Sequence, residues 1–126
     1  MTTFALAGGF TARVRHKDVL NNAMPGIHMN HFFCKYIPPR SDFLDTLSAV
    51  EVELLMMQRY WQQGLAKKRR IVACGPVLDP NGAYGVALYT LSDDEEITAL
   101  LADDPLMKAG LGAYECHPML EVTALR

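Results

Sequence analysis

The sequence predicts an α+β domain whose strands and helices follow one another as β-α-β-β-α-β. Three observations carry that expectation. One long apolar stripe recurs at helical spacing in mid-chain, a β-branched run closed by Gly75-Pro76 is followed by an Asn81-Gly82 turn, and a later strand runs into Ser92 and a cluster of carboxylates. The chain has 126 residues, 50% of them hydrophobic and 21% charged, which is enough for one globular core and too little for two.

Residues 1–28 mix Gly8-Gly9, Arg13, Arg15, Lys17, Asn21-Asn22 and Pro25-Gly26 without a sustained period of two or 3.6. They are expected to form a poorly ordered N-terminal extension to a domain over residues 29–126, and Met24 or Met29 would serve equally well as a start. The first strand pattern begins after Met29, in His31-Phe32-Phe33-Cys34-Lys35-Tyr36-Ile37, and Pro38-Pro39 ends it because proline cannot donate to a ladder.

A polar connection with Ser41 and Asp42 leads to the clearest periodic signal. Leu47, Val50, Leu54, Met57, Trp61 and Leu65 recur at spacings of three and four, which puts them on one stripe of a helix from about Ser48 to Ala66. Ser48 with Glu51 three residues on reads as a capping box, while Gln58, Gln62 and Lys68 fall mostly off the stripe. The basic run Lys67-Lys68-Arg69-Arg70 reads as a solvated turn.

Ile71-Val72-Ala73-Cys74 is then a short buried strand closed by Gly75-Pro76, and Leu78 to Gly82 carry turn chemistry into a strand over Ala83 to Leu91. In that strand Tyr84, Val86 and Leu88 share one face, and Ala83, Gly85 and Ala87 keep the other small. Ser92 followed by Asp93, Asp94 and Glu95 predicts the start of a second helix, with Ile97, Leu100 and Leu101 as its apolar side and Asp103-Asp104-Pro105 as its stop. After a turn through Lys108 and Gly110, Gly112 to Pro118 form the last strand. This order is the ferredoxin-like one: a four-stranded antiparallel sheet with two helices on one face. Phe32 or Phe33, Ile71 or Val72, Val86 and Leu88 would lie on the uncovered face. A homodimer burying that face would leave a cleft between sheet and helices for a small molecule.

Twelve basic against fourteen acidic side chains leave a formal charge of -2, so the surplus of cation that nucleic-acid binding needs is missing. Cys34, Cys74 and Cys116 show no CxxC or Cys-His ligand spacing, which argues against a disulfide framework or a metal site and for free thiols in a reducing, cytoplasmic setting. No run of about 18 apolar residues suggests a membrane partner. Neither a Gly-rich phosphate loop nor a G-x-S-x-G elbow is present, so no cofactor is expected.

Residues 72–82 (Val72-Ala73-Cys74-Gly75-Pro76-Val77-Leu78-Asp79-Pro80-Asn81-Gly82), together with Ser92-Asp93-Asp94-Glu95-Glu96, Leu101 to Leu111, and Tyr114-Glu115-Cys116-His117-Pro118, resemble the YCII-related (YciI-like) family over about residues 29–120. The resemblance implies a dimeric α/β barrel of the ferredoxin-like type, related in fold to small enzymes such as muconolactone isomerases. It also implies a site that pairs a histidine on the first helix with the aspartate of the Gly-Pro-x-x-Asp segment. Asp79 holds the aspartate position. The histidine position falls at or beside Met57, and residues 41–70 contain no histidine.

The candidate residues follow. Asp79 could act as a general base, although an Asx turn before Pro80-Asn81-Gly82 is the simpler role for it. His117 is the candidate catalytic partner, with His31 as an alternative polarising group. His31, Met57, Trp61, Pro76 and Tyr84 are the candidate ligand contacts, Met57 and Trp61 being equally well explained as core. The expected function is cofactor-free acid-base chemistry, of isomerase, lyase or dehalogenase type, on a small aromatic or carboxylated molecule. The alternative is a ligand-binding or structural homodimer that has lost the helix histidine.

Overall fold

In the computed structural model, the described residues are 29–124 with two short strands before them, β1 (Phe4–Leu6) and β2 (Phe10–Thr11). The other elements are β3 (Met29–Ile37), a 3-10 turn (Phe43–Asp45), α1 (Ala49–Lys67), β4 (Ile71–Val77), β5 (Tyr84–Ser92), α2 (Ile97–Ala102), α3 (Pro105–Lys108) and β6 (Ala113–Met119). The expected antiparallel sheet of four strands is the middle and one edge of a larger sheet, ordered β2-β1-β6-β3-β5-β4. From β3 onward, the architecture is compatible with a ferredoxin-like fold. β1 and β2 lie within the stretch that shows no pattern, and strands of three and two residues are too short to reveal a period. The rest of that expectation, over residues 1–3, 7–9 and 12–28, lies outside the described residues.

Register decides which side chains meet the helices. Cys34 lies opposite Ala87 on one side and Cys116 on the other, Ala87 lies opposite Cys74, and Phe32 pairs with Tyr89. Phe32, Cys34, Tyr36, Tyr89, Leu91 and Tyr114 therefore share a face, and all are buried. Ile97 and Leu101 of α2 and Leu106 of α3 join the same core, with Leu54 and Trp61 of α1 packed against it.

Phe33, Val86 and Leu88 fall on the opposite face, so of the expected alternatives it is Phe33 that faces outward while Phe32 is core. That face is not continuously apolar. His31, Lys35, Glu115 and His117 stand between the apolar side chains, and the Lys35 ammonium sits 4.3 Å from the centre of the Tyr84 ring.

Several element boundaries differ from the expectation. β4 runs through Gly75-Pro76 to Val77, because it is the sheet's outer strand, where a missing N–H can face away from the ladder. An irregularity between Ile71 and Ala73 leaves Val72 38% exposed while Ile71 stays in the core. Ser92 does not cap α2. It ends β5, and Glu95 Oε1 accepts from both its backbone N–H at 2.9 Å and its hydroxyl at 2.6 Å, closing a turn before α2 begins at Ile97. Asp104 is more than a helix stop, since its side chain caps a further short helix, α3, through Leu106 N at 2.7 Å.

The capping box at α1 is present in full. Glu51 N donates to Ser48 Oγ at 3.1 Å, and Ser48 N donates to Glu51 Oε1 at 2.9 Å. The buried side of α1 is rotated from its apolar stripe, however. Val50 and Met57 are 65% and 54% exposed, whereas Gln58 is buried. No helix among the described residues is long and apolar enough to cross a membrane.

Candidate functional site

The site arises from a change of side-chain size along β5. Where Tyr89 stands between Phe32 and Ile71, the helix side of the sheet is filled. Two and four residues earlier come Ala87, between Cys34 and Cys74, and Gly85, between Tyr36 and Pro76. These short side chains cannot reach α1, and a cavity of about 510 Å³ remains between helix and sheet.

α1 supplies one wall through Leu55, Gln58, Arg59 and Gln62. Phe43, from the 3-10 turn, and Leu44 close one side, and Tyr114 lines it from β6. Phe43 is itself 2% exposed and anchors that turn against the domain.

Two lining residues belong to a buried polar network behind the cavity. Gln58 Nε2 donates to Asp104 Oδ2 at 2.9 Å and to the Tyr114 hydroxyl at 3.3 Å, and the Tyr114 hydroxyl donates to the same Asp104 oxygen. Burial, reinforced by Tyr89 and Asp104 nearby, pushes the Tyr114 phenol well above its ordinary range, so it keeps its proton. Tyr36 is raised for the same first reason, and its hydroxyl donates to Leu111 O at 2.8 Å. The Cys34 thiol is raised by burial and by its hydrogen bond with Cys116, and Cys74 by burial, so neither is a ready thiolate.

The candidate residues read from the sequence are divided by this geometry. Pro76 lines the cavity, and Tyr84 borders it although its ring meets Lys35 on the outward face. Met57 points outward from α1, and Trp61 packs against the core beside the cavity without lining it. His31 lies on the other sheet face, where its Nδ1 is 3.0 Å from Thr90 Oγ1 and partial burial holds its pKa below the ordinary value.

Asp79 sits in the β4–β5 turn, with its Oδ1 accepting from Asn81 N at 2.8 Å and its carbonyl accepting from Gly82 N at 2.9 Å. That is the Asx-turn role. His117, opposite Phe33, lies on the face away from the cavity with its Nε2 3.8 Å from Glu115 Oε1. Within one chain, neither Asp79 nor His117 lines the cavity.

The chain matches no protein-family model, no curated protein and no solved structure.

The site residues that the sequence reading passes over are Gln58, Arg59, Asp104 and Tyr114. The signal for the first two is faint: Leu55, Gln58, Arg59 and Gln62 share a helical face one notch away from the apolar stripe. Asp104 and Tyr114 give none, because their pairing with each other and with Gln58 joins separate elements, which no local pattern records. Among the described residues, no group of three or more His, Cys, Asp or Glu is placed to hold a metal ion.

Proposed function

We propose that this protein binds a small, apolar-bodied molecule in the cavity between α1 and the sheet, as a non-catalytic homodimer of the YCII-related type. The observation that carries the reading is the cavity of about 510 Å³ floored by Gly85 and Ala87, whose lining includes no histidine or carboxylate. A space of this size, mostly apolar and edged by a few polar groups, has the make-up of a small-molecule site. An acid-base reaction by Asp79 and His117 would need both on one ligand. Instead Asp79 is held by its own turn, and His117 faces the other way.

Family membership rests on the resemblance of residues 72–82, 92–96, 101–111 and 114–118. Self-association rests on the outward face, where Phe33, Val86 and Leu88 leave apolar area that a second copy would cover.

The test is ligand-induced stabilisation with 2-naphthoate, a flat probe smaller than the cavity. It should raise the melting temperature of the wild type and leave Ala87→Leu unmoved, because the added isobutyl group fills the cavity floor. A probe that stabilises both proteins equally, or neither, refutes the cavity as the binding site.

A further inference from the structure

Charge is distributed unevenly around the cavity. Arg59 is the only ionised side chain of its lining, which otherwise offers amides, phenols, thiols and apolar groups. Two arginines outside the lining are paired with carboxylates: Arg40 holds Glu51 through two bonds of 2.9 and 2.7 Å, and Arg70 holds Glu95 at 2.8 Å. Arg59 enters no ion pair among the described residues. It stands at the solvent-facing lip of α1, one helical turn before Gln62 and Gln63, which also line the cavity. Deeper in, the polar groups are already used, with Gln58 Nε2 and the Tyr114 hydroxyl committed to Asp104 and the Tyr36 hydroxyl to Leu111 O.

We infer that the occupant is an aromatic monocarboxylate, with its carboxylate on Arg59 at the mouth and its ring between Phe43, Leu55 and Ala87. The inference deepens the cavity-binding reading above and rests on it. A guanidinium presents a planar fork that matches a planar carboxylate with two parallel N–H···O bonds. One such fork balances one negative charge. A doubly charged phosphate would find no second cation in this lining, and a cationic ligand would find no carboxylate. The inner surface cannot hydrate a charge, so the carboxylate belongs at the mouth and the apolar ring inside.

Binding of 2-naphthoate and of its neutral isostere 2-naphthamide, measured by calorimetry on the full chain, tests this. The wild type should prefer naphthoate by about tenfold, as expected for one charge-assisted pair at a partly exposed site. Arg59→Met keeps the stem and removes the fork, so the two probes should bind it equally, at the wild-type affinity for naphthamide. Arg59→Lys should fall between. Arg59 is exposed, so an unchanged melting temperature of the free variants establishes that the fold is intact. If wild type binds both probes alike, or Arg59→Met retains the preference, the carboxylate assignment is overturned while the cavity reading survives. If neither probe binds, or binding persists in Ala87→Leu, the cavity reading itself fails and the inference falls with it.

Discussion

The Tyr114 hydroxyl donates to Asp104 Oδ2 in the interior of the molecule, tying β6 to the start of α3. Asp104 is fully buried, and its other oxygen caps Leu106 N, so a single carboxylate satisfies donors from α1, α3 and β6. Replacing Asp104 by Ala removes a cap and strands the Gln58 and Tyr114 donors away from water. The expected cost is about 2–4 kcal/mol. Tyr114→Phe, which leaves the cap and the Gln58–Asp104 bond in place, should cost about 1–2 kcal/mol. Urea unfolding measures both, and an Asp104→Ala protein as stable as wild type would show that the network contributes nothing to the fold.

Tyr89 presents the opposite case. Its ring is fully buried in the core, yet its hydroxyl has no hydrogen-bond partner among the described residues. An unmade buried bond penalises the folded state, so Tyr89→Phe removes a cost while keeping the packed ring. Stability should stay level or rise by up to about 1 kcal/mol. A drop of more than about 1 kcal/mol would reveal that the hydroxyl is bonded in solution.

What the sequence makes legible here is what local bonding decides. The start of α1 depends on Ser48 and Glu51 three residues apart, and both halves of that box form. The turn at Asp79 likewise depends on Asn81 and Gly82 beside it. The misses share a different cause. Gly75-Pro76 can continue a strand because of where β4 lies in the sheet, which no local pattern records. Ser92 and Glu95 form the bonds of a cap, but spend them on a turn.

The cavity, too, depends on how the elements pack and leaves no local pattern. Gly85 and Ala87 announce a small face, and small faces usually permit close approach of the next layer. Here α1 is held off, so the same residues leave space instead. Met57 and Val50 belong to the apolar stripe but not to the core, because the helix rotates to bury Gln58 against Asp104. That polar contact outweighs the register the stripe alone would choose.

Gly112 should be nearly irreplaceable. Its φ of +79° lies in the left-handed region, and a Cβ there would come within 2.6 Å of Ile37 O while also striking the Tyr36 ring. Gly112→Ala therefore combines backbone strain with a clash, at an expected cost of about 2–4 kcal/mol. Gly110 shares a positive φ of +68° but has open space around it, so Gly110→Ala should show the backbone penalty alone, about 1–2 kcal/mol. Equal losses in the two variants would mean that the contact with Tyr36 yields without cost.

The last expectation concerns acid. Hydrogen bonds from the Arg40 guanidinium, and next from the Ser48 backbone N–H, pull Glu51 down to about 2 from its ordinary 4.5. A carboxyl depressed in the folded state binds its proton more readily when unfolded, so its contribution is complete above about pH 4.5 and is lost as the pH falls toward 2. Glu95 is shifted the same way by its bonds to Ser92, then by Arg70, and steepens the same limb. The urea midpoint of the wild type should decline between pH 4.5 and 2, and Glu51→Gln should flatten that decline while lowering the midpoint at pH 7. Parallel pH curves for wild type and Glu51→Gln would mean that the Arg40 contact does not persist in solution, because only a carboxylate held in the folded state can couple protonation to unfolding.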